Sequence, residues 1–304
     1  MSGQSNFLSY GSGGANCGFV LCESGKPFEL SPGKPPGQEQ RALKFIAKTM
    51  RTLRKAVGVS LVLFRASVEF LVCVGMQSDK TDTARRTWLK RTARRLLQAM
   101  EVEVEVEGIP PSSGLLVSNH LGYLDILVLA SVVPAIFVSK AEVRGWPVFG
   151  WLAQCAGTIF VKRENRGDVA RVSQEIGQTL TRGAVAILFP EGTSSNGEAV
   201  LPFRSSLLEP VLRLNCPVSP AALDYRLADG SVGQEVCYWG DMVLGPHLLN
   251  LLSKPGVQAI VRFGNPEVRA AADRKQLAKN LHESVCLLRG EGAASSEGSE
   301  HYVS

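Results

Sequence analysis

Histidine is scarce in this chain, and the usual mark of a catalytic serine is missing. The 304 residues contain four histidines, so any imidazole base must come from a very small set. No Gly-x-Ser-x-Gly segment occurs. A serine nucleophile held on a strand-to-helix elbow therefore has no support in the sequence.

Cysteine pairs with ligand-like spacing are also lacking. The seven cysteines are scattered and odd in number, and none belongs to a Cys-x-x-Cys segment. This pattern argues against a zinc site and against a disulfide framework. We therefore expect a reducing compartment and no bound metal.

Long apolar runs free of charge are lacking too. The first residues do not show a basic segment followed by an apolar one, so no secretory signal is expected. The apolar stretch over residues 56–76 has spanning length, but Arg65 and Glu69 interrupt it and are spaced to pair on one helical face. Each charge at the centre of a bilayer costs at least ~2.5 kcal/mol. A helix that packs against the domain or lies partly in the membrane is favoured over one that crosses it.

Positive charge is concentrated in one part of the chain. The formal net charge is +5, yet residues 41–100 carry 14 Lys and Arg against three acids, a local net charge of +11. Such a block suits a surface that bears phosphates, either anionic lipid or nucleic acid. No aromatic stacking platform accompanies it, which favours lipid.

Residues 83–100 interleave basic and apolar side chains at helical spacing. Two interpretations of this predicted helix stay open. It lies at a lipid interface, or its apolar stripe packs on the domain as in an ordinary surface helix. The apolar residues concerned are Trp88, Leu89, Leu96, Leu97 and Met100.

Composition divides the chain into four segments. Residues 1–40 are rich in Gly, Ser and Pro, and residues 290–304 in Gly, Ser and Glu, so both are expected to be flexible tails. Between them we predict a helical, membrane-associating segment over residues 41–100 and a catalytic domain over residues 101–289.

Short apolar strands alternate with helical segments from residue 101 onward. Valine and glutamate alternate from Glu101 to Glu107, which predicts a half-exposed strand. The whole pattern predicts an α/β fold with a mixed, largely parallel sheet flanked by helices, preceded by the basic and apolar helical segment for membrane docking. The predicted strands are residues 101–107, 115–118, 135–139, 158–161, 184–189, 218–223, 235–238 and 257–263, and the predicted helices are residues 124–133, 145–155, 168–182 and 274–288.

His120 and Asp125 follow the apolar strand at residues 115–118 with four residues between them. At this spacing the imidazole and the carboxylate are able to pair, so that the imidazole takes a proton from a hydroxyl while the carboxylate fixes its tautomer. For an isolated pair of this kind, a structural histidine at a strand–helix junction and a helix N-terminal carboxylate are the favoured explanation, so the catalytic interpretation depends on the segments that accompany the pair.

Three further segments lie at the ends of predicted strands, where an open α/β sheet collects its site. They are residues 157–163, which end in Lys-Arg, residues 189–193, which read Phe-Pro-Glu-Gly-Thr, and residues 216–220, which read Cys-Pro-Val-Ser-Pro. Together with His-x4-Asp, their order and spacing resemble the glycerolipid acyltransferase family, which contains the 1-acylglycerol-3-phosphate acyltransferases. The resemblance covers about residues 85–265.

The resemblance implies transfer of a fatty acyl group from a thioester, acyl-CoA or acyl carrier protein, directly to a hydroxyl, with no further cofactor. It makes His120 the general base and Asp125 the group that orients it. It also implies that Arg163 holds the anionic head of the acceptor through a planar guanidinium. The turn expected to bind the acceptor consists of Glu191, which binds a hydroxyl or fixes the arginine, Gly192 and Thr193.

Two departures from the family pattern concern the acceptor. Ser194 stands where the family often continues with arginine, and Ser205 and Ser206 stand near a position where many lysophosphatidate enzymes have glycine. Arg204 is able to substitute as the second cation. We therefore expect 1-acylglycerol-3-phosphate as acceptor and phosphatidate as product, with lyso-ornithine lipid as the alternative acceptor.

The expected partners are a membrane lipid surface, a lyso-lipid acceptor and the thioester donor, with no nucleic acid. The expected location is the cytoplasmic face of the inner membrane. A non-catalytic lipid-binding protein is the alternative from another class, and an intact pair of His120 and Asp125 speaks against it, because binding alone needs no base.

Overall fold

The computed structural model describes residues 37–74, 81–162, 164–266 and 273–291. Its contacts divide the chain into Met1–Phe45, of which residues 37–45 are described, and Ile46–Ser304, which contains the sheet and the site. Most of the two predicted tails lies outside the described residues. The predicted domain boundaries therefore stay predictions.

Seven strands form one mixed and largely parallel sheet in the described part of the chain, which confirms the predicted fold class. The sheet has the order β1-β7-β6-β2-β5-β3-β4, and only β6 and β7 pair in antiparallel fashion. The strands are β1 (Val102–Glu107), β2 (Gly114–Ser118), β3 (Ala135–Lys140), β4 (Ile159–Val161), β5 (Val185–Leu188), β6 (Val218–Arg226) and β7 (Val257–Phe263).

Helices cover both faces of the sheet. A π-helical turn at Phe70–Val74 follows α1, and a 3₁₀ turn at Ala141–Gly145 follows β3. The helices are α1 (Gln38–Glu69), α2 (Thr81–Met100), α3 (Tyr123–Val132), α4 (Phe149–Cys155), α5 (Arg166–Thr181), α6 (Glu209–Leu214), α7 (Val232–Glu235), α8 (Leu244–Ser253) and α9 (Arg274–Arg289).

Alternate residues of each central strand supply two separate cores. In β2, Leu116 points into the core shared with α2, α3 and α8, whereas Leu115 and Val117 point into the core shared with α5, α6 and α9. This is the period-two alternation of a strand that is covered on both faces. The sheet is therefore buried at its centre, and its strand ends are the places left for a site.

Seven of the eight predicted strands occur, and the strand predicted at residues 235–238 is wrong. Residues Val232–Glu235 form α7, and the backbone N–H groups of Val236 and Cys237 donate to Val232 O. Both side chains are buried. A short apolar run buries itself equally well as a helical turn, so periodicity does not separate the two.

The helix predicted at residues 145–155 begins later than expected. Residues 141–145 form the 3₁₀ turn, and Val148 has a φ of 63°, so α4 starts only at Phe149. The helices α6, α7 and α8 were not predicted. The other three predicted helices differ by at most two residues at either end.

The basic helix α2 packs on the domain. Of the two interpretations of its apolar stripe, the one in which the stripe packs on the domain is therefore confirmed. Its polar edge also binds the domain, because Lys90 Nζ donates to Val132 O at 2.6 Å and Arg94 Nε to Ser131 O at 2.8 Å. Cations at the carboxyl end of α3 match the free carbonyls and the dipole there. The buried apolar residues are Trp88, Leu89, Leu96, Leu97 and Met100.

The interrupting charges of the apolar stretch are paired, as predicted. Arg65 Nε donates to Glu69 Oε1 at 2.9 Å, and Arg95 of α2 binds the same carboxylate at 2.8 Å. The indole N–H of Trp88 donates to Ala66 O at 3.0 Å. These contacts fix the second half of α1 against α2.

One face of α1 is apolar and exposed. From Ile46 to Val68 its apolar residues recur every three or four positions, and between 46% and 71% of each side chain is exposed. That spacing places them in one stripe along the helix. The members are Ile46, Met50, Leu53, Val57, Leu61, Phe64 and Val68, called the α1 stripe below. Within residues 37–74, 81–162, 164–266 and 273–291, no helix is both long and apolar enough to cross a bilayer.

Candidate active site

The candidate site lies where three adjacent strands end. In the sheet β2 has β5 on one side and β6 on the other, both parallel to it. His120 follows the end of β2 by two residues, and Glu191 follows the end of β5 by three. Because parallel strands end at the same edge, these side chains converge, and residues of β6 join them.

His120 and Asp125 form a hydrogen-bonded pair. The ring Nδ1 of His120 lies 2.8 Å from Asp125 Oδ2. The same carboxylate oxygen accepts the backbone N–H groups of Leu121 at 2.6 Å and Gly122 at 2.9 Å. Its second oxygen, Oδ1, accepts the hydroxyl of Tyr225 at 2.7 Å. The carboxylate is fully buried, with 0% of its side chain exposed, and both of its oxygens form hydrogen bonds.

The turn between β2 and α3 creates this arrangement. Asp125 lies in the first turn of α3, so its carboxylate folds back onto the backbone N–H groups that precede the helix. Glycine is needed at position 122, since a Cβ there would lie 2.8 Å from the backbone nitrogen of Tyr238. That nitrogen donates to Leu121 O at 2.8 Å and holds the turn from the other side.

The contact with Asp125 determines which nitrogen of His120 is basic. The carboxylate is an acceptor, so Nδ1 carries the proton in neutral His120 and Nε2 presents a lone pair. The ring stacks on Phe189, with centroids 4.2 Å apart and planes 18° apart. About a fifth of the side chain, 21%, is exposed. The ring is thus held on one face and at one nitrogen and left open elsewhere.

Glu191 is a second buried carboxyl group beside His120. Its Oε1 accepts the backbone N–H of His120 at 3.2 Å. Its Oε2 is buried and has no hydrogen-bond partner among the described residues. Burial raises the pKa of Glu191 to about 8, helped by the charge of Asp125 and opposed by the hydrogen bond from His120. At pH 7 it is therefore mostly a neutral acid.

Of the other predicted site residues, Gly192, Thr193 and Arg204 are described by the structure and Arg163 is not. Gly192 lies in the turn after Glu191 with a φ of 81°, which glycine adopts without strain. Thr193 is exposed at the next position. The backbone N–H of Arg204 donates to Pro190 O at 2.9 Å, and its side chain lines a cavity beside the turn. Arg163 lies outside the described residues, so its role stays a prediction.

Tyr225 belongs to the site although the sequence did not predict it. The predicted strand ended at residue 223, whereas β6 continues to Arg226 and carries Tyr225 to Asp125. Burial raises the pKa of its hydroxyl well above the ordinary value, and the nearby Asp125 adds to this, so the group remains a donor. The regular alternation of apolar and polar residues from Leu223 to Arg226 was the signal that could have extended the predicted strand to Tyr225.

Asn119 and Ser195 also hold the site and were not assigned a role from the sequence. The side-chain amide of Asn119 donates to Leu223 O at 2.9 Å and accepts the N–H of Leu223 at 2.7 Å. It continues the β2–β6 pairing by one residue. The backbone N–H of Ser195 donates to His120 O at 2.9 Å. The backbone on both sides of the histidine is thereby fixed.

The raised pKa of Glu191 predicts a specific dependence of stability on pH. The folded carboxyl retains a proton that the unfolded chain releases above its ordinary pKa of 4.5. Its contribution to stability is therefore complete below about pH 4.5 and is lost as the pH rises towards 8. We expect Glu191→Gln to remove this loss. Between pH 5 and 8 the free energy of unfolding in urea should fall by roughly 3 kcal/mol more in the wild type than in the variant.

The control for this measurement is Glu198→Gln, which changes an exposed carboxylate in the loop that follows. We expect its curve of stability against pH to run parallel to that of the wild type. Parallel curves for the wild type and Glu191→Gln would contradict the assignment of a neutral, buried Glu191.

Known proteins that are similar to this chain are acyltransferases. A family model described as Acyltransferase matches residues 101–224. The lyso-ornithine lipid O-acyltransferase of Pseudomonas aeruginosa is 37% identical over 203 residues, which cover 66% of this chain and 76% of that protein. The protein of the same name from Rhizobium meliloti is 32% identical over 263 residues, which cover 80% and 87%.

Two further similar proteins are described as acyltransferases that act on 1-acylglycerol-3-phosphate. The 1-acyl-sn-glycerol-3-phosphate acyltransferase of Neisseria meningitidis is 33% identical over 159 residues, covering 48% of this chain and 62% of that protein. The crystal structure of the 1-acyl-sn-glycerophosphate acyltransferase of Thermotoga maritima matches 84% of this chain and all of its own, with a TM-score of 0.61 and 21% identity, and thus has the same fold. The chain belongs to the glycerolipid acyltransferase family and is an acyltransferase of the lysophospholipid type.

Proposed function

We propose that this enzyme transfers a fatty acyl group from a thioester, acyl-CoA or acyl carrier protein, to the free hydroxyl of a lyso-lipid, with His120 as general base. The observation that supports this most is the hydrogen-bonded pair of His120 and Asp125, because it leaves Nε2 as the basic atom on a ring that is open to a substrate.

The reaction proceeds by direct attack. His120 Nε2 takes the proton of the acceptor hydroxyl while the oxygen attacks the thioester carbonyl, and a tetrahedral intermediate forms. The carbon–sulfur bond then breaks, and the imidazolium returns its proton to the leaving thiolate. The products are the new ester and a free thiol. A positioned base of this kind typically contributes ~10²–10⁴-fold to the rate.

Asp125 and Glu191 have different roles in this mechanism. Asp125 is a positioning residue, which keeps Nδ1 protonated and balances the charge of the imidazolium. Glu191 at pH 7 offers the proton of its unpartnered carboxyl oxygen to an oxygen of the acceptor. A neutral acid at this place avoids a second negative charge beside Asp125.

Lyso-ornithine lipid is the acceptor that we propose first. Three of the relatives described by that name are 37%, 39% and 32% identical to this chain and are covered by it over 76%, 70% and 87% of their length. 1-Acylglycerol-3-phosphate, the first expectation from the sequence, is the second candidate. The relative from Neisseria meningitidis that bears its name supports it over a shorter match.

The α1 stripe is proposed to lie on the membrane that contains the acceptor. Its apolar side chains are exposed, and the exposed Lys48 on the same helix suits anionic head groups. The helix would lie in the plane of the interface rather than cross the bilayer. The enzyme would thus take its acceptor directly from the lipid surface.

Loss of the base tests the proposed reaction. We expect His120→Ala to lower kcat at least 10²-fold in the transfer of a labelled acyl group to lyso-ornithine lipid or 1-acylglycerol-3-phosphate, because no other imidazole of the described chain lies at the strand ends. His282→Ala, on α9, is the matched control and should retain activity. Undiminished turnover in His120→Ala would refute the proposed mechanism.

The hydrogen bond from Tyr225 to Asp125 predicts a shift in the pH profile. In Tyr225→Phe the carboxylate loses a donor and retains more negative charge, which favours the imidazolium form of His120. We expect kcat at pH 7 to fall about tenfold, since a hydrogen bond to a charged group contributes ~1.5–3 kcal/mol. The acid limb of kcat/KM should move to higher pH.

The control for Tyr225→Phe is Tyr123→Phe, which removes another buried hydroxyl. That hydroxyl bonds to His247 Nδ1 at 2.9 Å and not to Asp125. In Tyr123→Phe the acid limb of the plot of kcat/KM against pH should lie at the same pH as in the wild type. An unmoved limb in Tyr225→Phe would show that the tyrosine only fills space.

Charges placed in the α1 stripe test the docking proposal. We expect the double variant Leu61→Asp/Phe64→Asp to lose most of its sedimentation with vesicles of phosphatidylglycerol and phosphatidylethanolamine, because two carboxylates would enter the lipid interface. The matched control, Ile109→Asp/Leu287→Asp, alters two equally exposed apolar residues outside α1. Equal sedimentation of the two double variants would exclude the stripe as the docking surface.

A further inference from the structure

A cavity of about 540 Å³ opens beside the ring that supports His120. Phe189 connects the two places, since its ring stacks on the imidazole and the same side chain lines the cavity. Val161 at the end of β4 and Leu188 at the end of β5 form part of the wall. A ligand in this cavity would therefore lie next to the catalytic base.

The described residues that line the cavity are mostly apolar, with positive charge. Arg204 and Arg274 are the charged ones among them, and Ser206 adds a hydroxyl. No aspartate or glutamate occurs among these described lining residues. Such a site favours an anion, because the apolar wall weakens the screening of the two guanidinium groups by water. The apolar lining residues are Val161, Val169, Leu188, Phe189, Pro190 and Leu207.

Among the described residues, neither arginine forms an ion pair. No carboxylate there lies within ion-pair distance of Arg204 or Arg274, whereas Arg171, Arg262 and Arg289 each bind two acids. Arg274 is the first residue of α9. The N-cap carboxylate beside it, Asp273, accepts the backbone N–H groups of residues 275 and 276 at 2.7 and 2.9 Å.

We propose that this cavity binds the anionic group of the acceptor, phosphate or carboxylate, and that Arg274 determines specificity there together with Arg204. This deepens the proposed function and rests on it. Guanidinium groups bind both anions through paired N–H donors. Arg274 lies 50 residues beyond the part that matches the family model, residues 101–224, so the family match assigns it no role.

The placement explains how one base serves acceptors with different heads. The reacting hydroxyl would lie at His120, and the anionic group would lie in the cavity beside Phe189, near the exposed side chains of Arg204 and Arg274. Ornithine presents a carboxylate and lysophosphatidate a phosphate, and both satisfy the same pair of cations. A monoacylglycerol carries the hydroxyl but no anion, and gains nothing from this cavity.

Arg274→Gln in the full chain tests the proposal, with Lys275→Gln as its matched control. Lys275 is the next residue, and its side chain lines a different depression with Pro202, Phe203 and Lys279. Both variants lose one positive charge from the same turn of α9. The kinetic constants are measured with lyso-ornithine lipid, 1-acylglycerol-3-phosphate and 1-monoacylglycerol, the last as the uncharged acceptor.

We expect Arg274→Gln to raise KM at least tenfold for one or both anionic acceptors, with kcat within threefold and no change for monoacylglycerol. The acceptor that loses more identifies the anion. Lys275→Gln should stay within twofold of the wild type for all three. Equal effects of the two variants, or an equal loss with monoacylglycerol, would overturn the proposal.

A binding measurement separates this proposal from the proposed function. Inorganic phosphate, compared with chloride at equal ionic strength, should raise the Tm of the wild type and of Lys275→Gln but not that of Arg274→Gln. If the wild type uses no lyso-lipid and phosphate still gives this pattern, the proposed function fails while the anion site stands. If phosphate stabilises Arg274→Gln as much as the wild type, the anion site fails.

Discussion

The buried carboxylate of Asp125 is the constraint from which the architecture of the site follows. An ionised carboxylate without donors is very costly inside a protein, so the chain must supply hydrogen bonds around it. Three come from the turn between β2 and α3, through the ring of His120 and the N–H groups of Leu121 and Gly122. The fourth comes from Tyr225 on β6. Satisfying this one group fixes the turn, the imidazole and the neighbouring strand together.

Two carboxyl groups lie on either side of His120 and differ in their surroundings. Asp125 has four donors, and its charge is compensated. Glu191 is buried and accepts the backbone N–H of His120, its second oxygen has no hydrogen-bond partner within the geometric limits among the described residues, and burial raises its pKa to about 8. Proximity alone does not make them equivalent. The donors around each carboxyl decide which one balances an imidazolium and which one offers a proton at neutral pH.

The parts of the fold that were predicted from sequence are those with a local signal. Alternation identified β1, unbroken apolar runs identified β5 and β6, and strand–helix alternation identified the α/β class. The segment 235–238 was mistaken for a strand because a buried apolar run of four residues fits either element. His120, Asp125 and Glu191 were predicted because they lie at strand ends in recognisable segments. Tyr225 was missed because its role depends on the register between β6 and β2, which no local pattern encodes.

The residues proposed for the chemistry and those proposed for acceptor recognition are held in different ways. The base and its support lie on three strand ends whose positions the sheet fixes by backbone hydrogen bonds. Such a frame tolerates little change, because a small displacement of His120 would separate it from Asp125 and Phe189. The cations near the cavity lie instead on exposed side chains of the segment after the Glu191 turn and of α9. Substitutions there leave the pair of His120 and Asp125 intact. If these cations bind the acceptor, as we propose, head-group preference could change by substitution there while the frame around His120 and Asp125 stays the same.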